Sequence, residues 1–310
     1  MAKYTRSKKE DDDYDLFVSE AKKIKSDFVI AGSDDDSLVE VKDWIIMPEK
    51  IQKLIGVKGI PCGLISMVYG APDCGKTTFC NEALASTQRD GGFAILFLSE
   101  FKYSKNRAQE MGIRVDGDRG SLIKYKPRTI EQVGDYIHDV ANSIDRSGTD
   151  KKVCIVWDSL GATPCENELK EKRADFPMDA AKAITGVLRK TQGLIRDKNI
   201  AFVIINQIHS KAVSFGKKTT TKGGFSPRYY SALQIEFTKM GHIRPNGKKA
   251  PEPYCGIKSM INIEKNHLGQ PFKKSEVMID WKGFVFDRSP EYAPEGFYES
   301  YKEVSETKKV

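Results

Sequence analysis

A chain of 310 residues with 39% hydrophobic and 30% charged side chains holds enough apolar material for one large buried core or two small ones. Its apolar runs are all short, which excludes a transmembrane helix, and Met1-Ala2-Lys3-Tyr4-Thr5-Arg6 has no apolar segment behind it, which argues against a secretory signal. The formal charge of +7 suits a polyanionic partner without demanding one, and six scattered cysteines with no C-x-x-C pair speak against zinc and disulfide frameworks.

In chain order, residues 1–13 are charged, end in Glu10-Asp11-Asp12-Asp13 and predict disorder. Leu16, Phe17, Ala21 and Ile24 stand at helical spacing, so a short amphipathic helix is expected from Asp15 to Lys25. Asp27-Phe28-Val29-Ile30-Ala31 is a brief β-prone run. From about residue 37 to 287 two periods alternate. Strands are predicted at 64–69, 93–98, 153–157, 200–206, 232–238, 257–264 and 276–280, and helices at 76–88, 104–111, 129–146 and 177–198. Strands separated by helices imply an α/β fold with a mainly parallel central sheet flanked by helices. The later strands lack full helices between them, which predicts an antiparallel extension at one sheet edge. The division expected is a 1–36 tail, a 37–287 core and a charged 288–310 tail.

Gly70-Ala71-Pro72-Asp73-Cys74-Gly75-Lys76-Thr77 fits G-x-x-x-x-G-K-[ST], the phosphate-binding loop of nucleoside-triphosphate enzymes. Leu64 to Tyr69 reads as the strand before it and Thr77 to Gln88 as the helix after it. Glycines let backbone N–H groups turn inward around a β-phosphate, and the helix N-terminus adds its positive dipole end. Gly70, Asp73, Cys74, Gly75, Lys76, Thr77 and Thr78 thus form the candidate cradle for a nucleoside triphosphate, with Lys76 reaching the β/γ-phosphates and the Thr77 hydroxyl on Mg²⁺. Cys74 within this loop favours a reducing cytoplasm.

Val153-Cys154-Ile155-Val156-Trp157-Asp158 is an apolar strand ending in a carboxylate, the second element of such sites, where Asp158 belongs to the Mg²⁺ shell. Phe93-Ala94-Ile95-Leu96-Phe97-Leu98-Ser99-Glu100 ends likewise. Ligands sit at the carboxyl ends of parallel strands, so Glu100 is placed to orient and deprotonate a water. The next strand ends in Asn206-Gln207, and an amide there can sense a γ-phosphate. Two stretches without periodicity follow strand ends. Residues 208–222 carry His209, Lys211, Lys217, Lys218 and Lys222 with Phe215, and residues 165–176 carry Lys170, Lys172 and Arg173. Basic loops that track a phosphate backbone are what nucleic-acid binding needs.

The set, in its order, resembles the RecA-type homologous recombinases, including the shorter phage-encoded form. Ile204-Ile205-Asn206-Gln207-Ile208, Phe215-Gly216, Thr220-Thr221-Lys222-Gly223-Gly224 and Tyr229-Tyr230-Ser231-Ala232 carry the resemblance, with Asp158-Ser159-Leu160 and Ala162-Thr163-Pro164 before them. Ile263-Glu264-Lys265-Asn266-His267 and Pro271-Phe272-Lys273 follow. The resemblance implies that Glu100 activates water, Gln207 senses the γ-phosphate and the two basic loops bind DNA. It places Lys182 and Arg189 among the DNA-facing residues of the helix after the first loop, and Gly223 and Gly224 where the backbone approaches the strand. It puts Tyr229, the arm at Phe28, Lys265 and His267 at contacts between subunits, with Lys265 reaching a neighbour's γ-phosphate.

The family's pattern is not kept throughout. His267 stands where bacterial members carry a second trans lysine, which implies a weaker or pH-sensitive trans contact. Arg107 replaces a tyrosine that the family stacks on adenine; an arginine can stack there, with Trp281 on the other face. Roughly two dozen residues follow Asp287, where bacterial members continue into a further domain. The resemblance implies a cytoplasmic ATPase, of a bacterium or a phage-infected host, that forms a helical filament on single-stranded DNA. It would pair with homologous duplex DNA, with an accessory loader or single-strand-binding protein as a partner. An ATP-binding mediator without strand exchange of its own, a nucleotide-operated assembly switch and a hexameric helicase are the alternatives.

Overall fold

A computed structural model describes residues 15–20, 23, 41–100, 102–170, 177–210, 219–221, 223–244 and 254–286. The chain divides into two compact units at Val41/Lys42. In the first, residues 15–20 form a helix, α1, with Leu16 and Phe17 exposed.

The second unit is built on one large sheet. β3 (Ile65–Gly70), β7 (Ile200–Ser210), β6 (Val153–Asp158), β4 (Phe93–Leu98) and β5 (Ile123–Tyr125) follow one another in parallel. On the other side of β3 lies β9 (Ser231–Ile243), also parallel to it, and then the antiparallel run of β10 (Gly256–Asn266), β11 (Lys274–Asp280) and β12 (Gly283–Val285). The expected parallel sheet with an antiparallel extension is therefore the architecture observed. β3 and β6 are buried along their whole length, which is why they read as unbroken apolar runs: a parallel strand covered on both faces has no polar side to show.

Helices cover both faces. α3 (Lys76–Arg89) and α4 (Lys105–Glu110) lie on one, α5 (Ile130–Ser147) and α7 (Pro177–Asp197) on the other. Local chemistry sets their ends. Ser104 accepts the Arg107 N–H to start α4, Thr129 accepts the Gln132 N–H to start α5, and Gly148 closes α5 in the left-handed region. Phe79 of α3 is fully buried, tilted on Phe237 at 5.8 Å and edge-on to Phe284 at 6.5 Å, so it ties α3 to the antiparallel extension. Phe79→Ala is expected to cost about 3–5 kcal/mol in denaturant unfolding; a loss below about 1 kcal/mol would show that this face closes without it.

The sequence signal misses the small elements. β1 (Trp44–Ile46) pairs antiparallel with β2 (Gly59–Pro61) around α2 (Glu49–Ile55), and three-residue strands are too short for any period to register. The stretch expected as an aperiodic loop at 208–222 is partly sheet. β7 runs on to Ser210, and β8 (Thr219–Thr221) returns antiparallel to it, pairing Ile208 with Thr221 and Ser210 with Thr219. Within 165–176 the first residues form α6 (Glu166–Lys170). No helix among the described residues is long and apolar enough to cross a membrane.

Candidate functional site

The carboxyl ends of β3, β7, β6 and β4 lie side by side, and each delivers one part of the site. Gly70 pairs with Gln207, and Leu98 with Asp158, so the phosphate loop, the amide and the carboxylates are held at one sheet edge by register alone. The loop after β3 is tight. Gly70 has φ 156°, and a Cβ there would lie 2.1 Å from the Phe237 carbonyl oxygen; at Gly75, with φ 106°, it would lie 2.3 Å from Ile279 Cδ1. Only glycine fits either position. From β10 the Ser259 hydroxyl donates to the Cys74 carbonyl at 2.8 Å and fastens the loop to the sheet.

Lys76 is buried, and its ammonium donates to the Ala71 carbonyl at 2.5 Å and lies 3.7 Å from Cys74 Sγ. The cation is thus folded into its own loop, where an anion can take over those contacts. Thr77 Oγ1 is 3.4 Å from Asp158 Oδ2. Burial, then the nearby charge of Glu100, pushes the Asp158 carboxyl up to about 6, against the opposing pull of Lys76 and Thr77. Glu100 Oε1 accepts two hydrogen bonds, from Ser159 Oγ at 2.5 Å and from Gln207 Nε2 at 3.1 Å. Lys76, Thr77, Asp158, Glu100 and Gln207, named from separate strand ends, are therefore brought together. Ser159 had no sequence signal of its own beyond following Asp158.

A cavity of about 740 Å³ opens beside the loop, lined by Asp73 to Thr78 at one end and by Arg107, Trp281, Asp280 and Tyr254 elsewhere. The Arg107 guanidinium lies over the Trp281 ring at 5.6 Å and donates from Nη2 to Thr78 Oγ1 at 2.9 Å, so the two residues expected on opposite faces of a base touch each other. Burial lowers the Arg107 pKa, against the charges of Asp280 and Asp73. Asp280 and Tyr254 went unnoticed in the sequence, since a carboxylate closing β11 and a tyrosine before β10 form no motif. Phosphates in the cradle with Thr77 and Asp158 suit Mg²⁺, a cation that keeps several waters and takes one or two protein oxygens; among the described residues no cluster of three ligating side chains competes for it.

The DNA-binding candidates are more scattered. Lys182 and Arg189 are exposed seven positions apart on α7, Lys182 at 3.9 Å from Asp179. Lys170 is exposed and paired with Glu166 at 2.9 Å. Gly223 and Gly224 both adopt positive φ, 88° and 67°. A Cβ on Gly223 would lie 2.8 Å from Ile184 Cδ1, so the chain returns closely onto α7 there. His209 lies in β7 with its side chain outside the described set, and Phe28, Lys172, Arg173, Lys211, Phe215, Lys217 and Lys218 lie outside the described residues. Tyr229, in α8 (Ser226–Tyr230), is 77% exposed. Lys265 donates to the Arg228 and Tyr229 carbonyls, 3.2 Å each, and so bonds to α8 rather than to the phosphate loop of its own chain. Burial lowers the Lys265 pKa. His267 is exposed, with its backbone N–H on the Ala232 carbonyl at 3.0 Å.

This geometry has relatives. The family model of the RecA N-terminal domain matches residues 27–285. "Protein RecA" of Aquifex pyrophilus is 30% identical over 223 residues, 71% of this chain and 60% of that protein. "Protein RecA" of Aquifex aeolicus (strain VF5) is 30% identical over 226 residues, 72% of this chain and 61% of that protein. The chain spans about 60% of the length of these relatives. A match that covers the phosphate loop, the carboxylate-tipped strands and the antiparallel extension together settles the kinship: the chain belongs to the RecA family.

Proposed function

We propose that the protein is an ATPase that assembles as a helical filament on single-stranded DNA and promotes homologous pairing and strand exchange. The observation that supports it most is the hydrogen bond from Gln207 to Glu100 at the mouth of the phosphate loop. Gln207 lies one residue before Ile208, where the pairing of β7 with β8 begins. The residue that would sense a γ-phosphate is thus bonded to the carboxylate that would activate water, and is continuous with the segment proposed to hold DNA.

On this reading the triphosphate displaces Lys76 from the Ala71 carbonyl and takes its charge. Thr77 and Asp158 would hold Mg²⁺, which when bound would supply positive charge to offset that of the phosphates. Gln207 transfers its amide N–H from Glu100 to the γ-phosphate, and Glu100, still oriented by Ser159, accepts a proton from water. Lys265 of an adjacent subunit completes the site, so turnover depends on assembly. Residues 165–176 and 208–222, with Lys182 and Arg189, grip DNA phosphates. Affinity for DNA should then fall with salt at a log–log slope of about −0.7 per phosphate neutralised.

ATP hydrolysis is expected to rise steeply with single-stranded DNA and with protein concentration, and joint molecules are expected with homologous duplex. A rate indifferent to both would sink the reading, and DNA-stimulated hydrolysis without joint molecules would select the mediator alternative.

A further inference from the structure

One threonine outside the nucleotide cradle ties the two carboxylate-bearing strand ends together. Thr163 follows the 3-10 turn Leu160–Ala162 and is wholly buried. Its hydroxyl oxygen lies 3.0 Å from Trp157 Nε1, 2.9 Å from the Ser159 carbonyl oxygen and 2.7 Å from Ser99 Oγ. The indole N–H can only donate and the carbonyl can only accept. All three contacts hold together when Thr163 accepts from Trp157 and Ser99 and gives its own proton to the Ser159 carbonyl. That arrangement uses both lone pairs and the single donor of a hydroxyl.

Its partners flank the two carboxylates. Ser99 directly precedes Glu100, and Trp157 and Ser159 stand on either side of Asp158. The Ser99 N–H already donates to the Asp158 carbonyl at 2.8 Å, so the two strand ends meet through backbone and hydroxyl alike. Ser159 carries the constraint onward. Its hydroxyl donates to Glu100 Oε1 at 2.5 Å, while its carbonyl is held by Thr163 and by the Ala162 N–H at 3.1 Å. Glu100 itself lies past the end of β4, where the direction of its carboxylate is set by Ser159 and Gln207. The same turn reaches the amide: a Cβ on Gly161 would lie 3.6 Å from Gln207 Cγ, so the Gln207 side chain packs against it.

We propose that Thr163 is a positioning residue for the water-activating step: it fixes Ser159 and Ser99 beside Glu100 and so aims the carboxylate. This rests on the reading of Glu100 as the general base. A buried indole N–H needs one acceptor and no more. The further bonds from Thr163 to Ser159 and Ser99 do nothing for Trp157, and both end on residues next to the two carboxylates. General-base catalysis is sensitive to placement, and a shift of about 1 Å can cost about a hundredfold in rate. Thr163 does not line the nucleotide cavity. Its loss should therefore be felt in turnover and not in nucleotide binding.

The test measures steady-state ATP hydrolysis by the full chain with an oligo-dT single strand, resolved into kcat and KM, beside melting temperature. Thr163→Val keeps the shape and removes the hydroxyl. It is expected to lower kcat about tenfold or more, with KM for ATP within about twofold of the wild type. Thr163→Ser, which keeps the hydroxyl, is expected to restore most of the rate. Ser159→Ala is expected to lower kcat as well, with the double variant close to the lower single one rather than to the product of the two. A Thr163→Val protein that melts lower yet keeps the wild-type kcat, or that loses ATP affinity with kcat unchanged, would overturn the proposal and leave Thr163 a packing residue. Should Thr163→Val not fold, Ser99→Ala decides, because it takes one partner from the threonine and leaves the indole paired: a lowered kcat supports the proposal and an unchanged one overturns it. Wild-type turnover in Glu100→Gln would overturn the reading of Glu100 as the base, a distinct result.

Discussion

Glu100→Gln is expected to lower ATP turnover by about 10²–10⁴-fold while the protein still binds the triphosphate. The substitution keeps the side chain's length and shape. An amide oxygen can still accept from Ser159 Oγ and Gln207 Nε2, the two donors that hold Glu100 Oε1 at 2.5 and 3.1 Å, so the local packing is kept. What is lost is the capacity to take a proton. Lys76→Ala should behave differently, because it empties the cradle of its cation and so weakens binding itself. Steady-state hydrolysis with DNA, beside binding of a fluorescent ATP analogue, separates the two. A Gln variant that turns over at the wild-type rate would remove Glu100 from the mechanism. A second readout comes from the neighbour: Glu100 is one of the groups that raise Asp158, so the amide variant should let the Asp158 carboxyl fall towards its ordinary range.

What could be read from the amino-acid order follows from what is encoded locally. β3, β4, β6 and β7 announce themselves as apolar runs, and Gly70 and Asp158 at the ends of β3 and β6, Glu100 two residues past β4 and Gln207 within the longer β7 fall at one level of the sheet because parallel strands share a direction. The phosphate loop is legible for a similar reason, since its conformation needs glycine at fixed places. Contacts between distant segments left no such mark. Ser159 holding Glu100, Ser259 fastening the Cys74 carbonyl and Arg228 over Tyr69 depend on register and on where α8 lands, which no period in the chain records. Arg107 and Trp281 were both placed at the nucleotide pocket, but their direct stacking required the fold to show how closely α4 approaches the end of β11.

Asp158→Asn is expected to make the nucleotide-free protein more stable at neutral pH while abolishing Mg²⁺-dependent turnover. The folded protein raises the Asp158 carboxyl from 3.8 to about 6, chiefly because burial disfavours its charge. The native state therefore binds this proton more tightly than the unfolded chain does. Between about pH 4 and pH 6 it carries more of that proton, so the group's contribution to stability is greatest below the window and falls as pH rises through it. A rise of this size corresponds to about 3 kcal/mol lost by pH 7. Asparagine has no charge to desolvate, and its amide can keep the contact with Thr77. The variant should gain about 1–3 kcal/mol over the wild type at pH 7, and about a third as much at pH 4.5. Denaturant unfolding of both proteins at the two pH values measures the difference directly, and the other carboxylates cancel in the comparison. A stability difference that does not grow between pH 4.5 and pH 7 would mean that Asp158 titrates as an ordinary carboxylate. A growing one would show that the chain keeps a destabilising buried charge where the reaction needs an anion for a cation to meet, the usual exchange of stability for function at an active site.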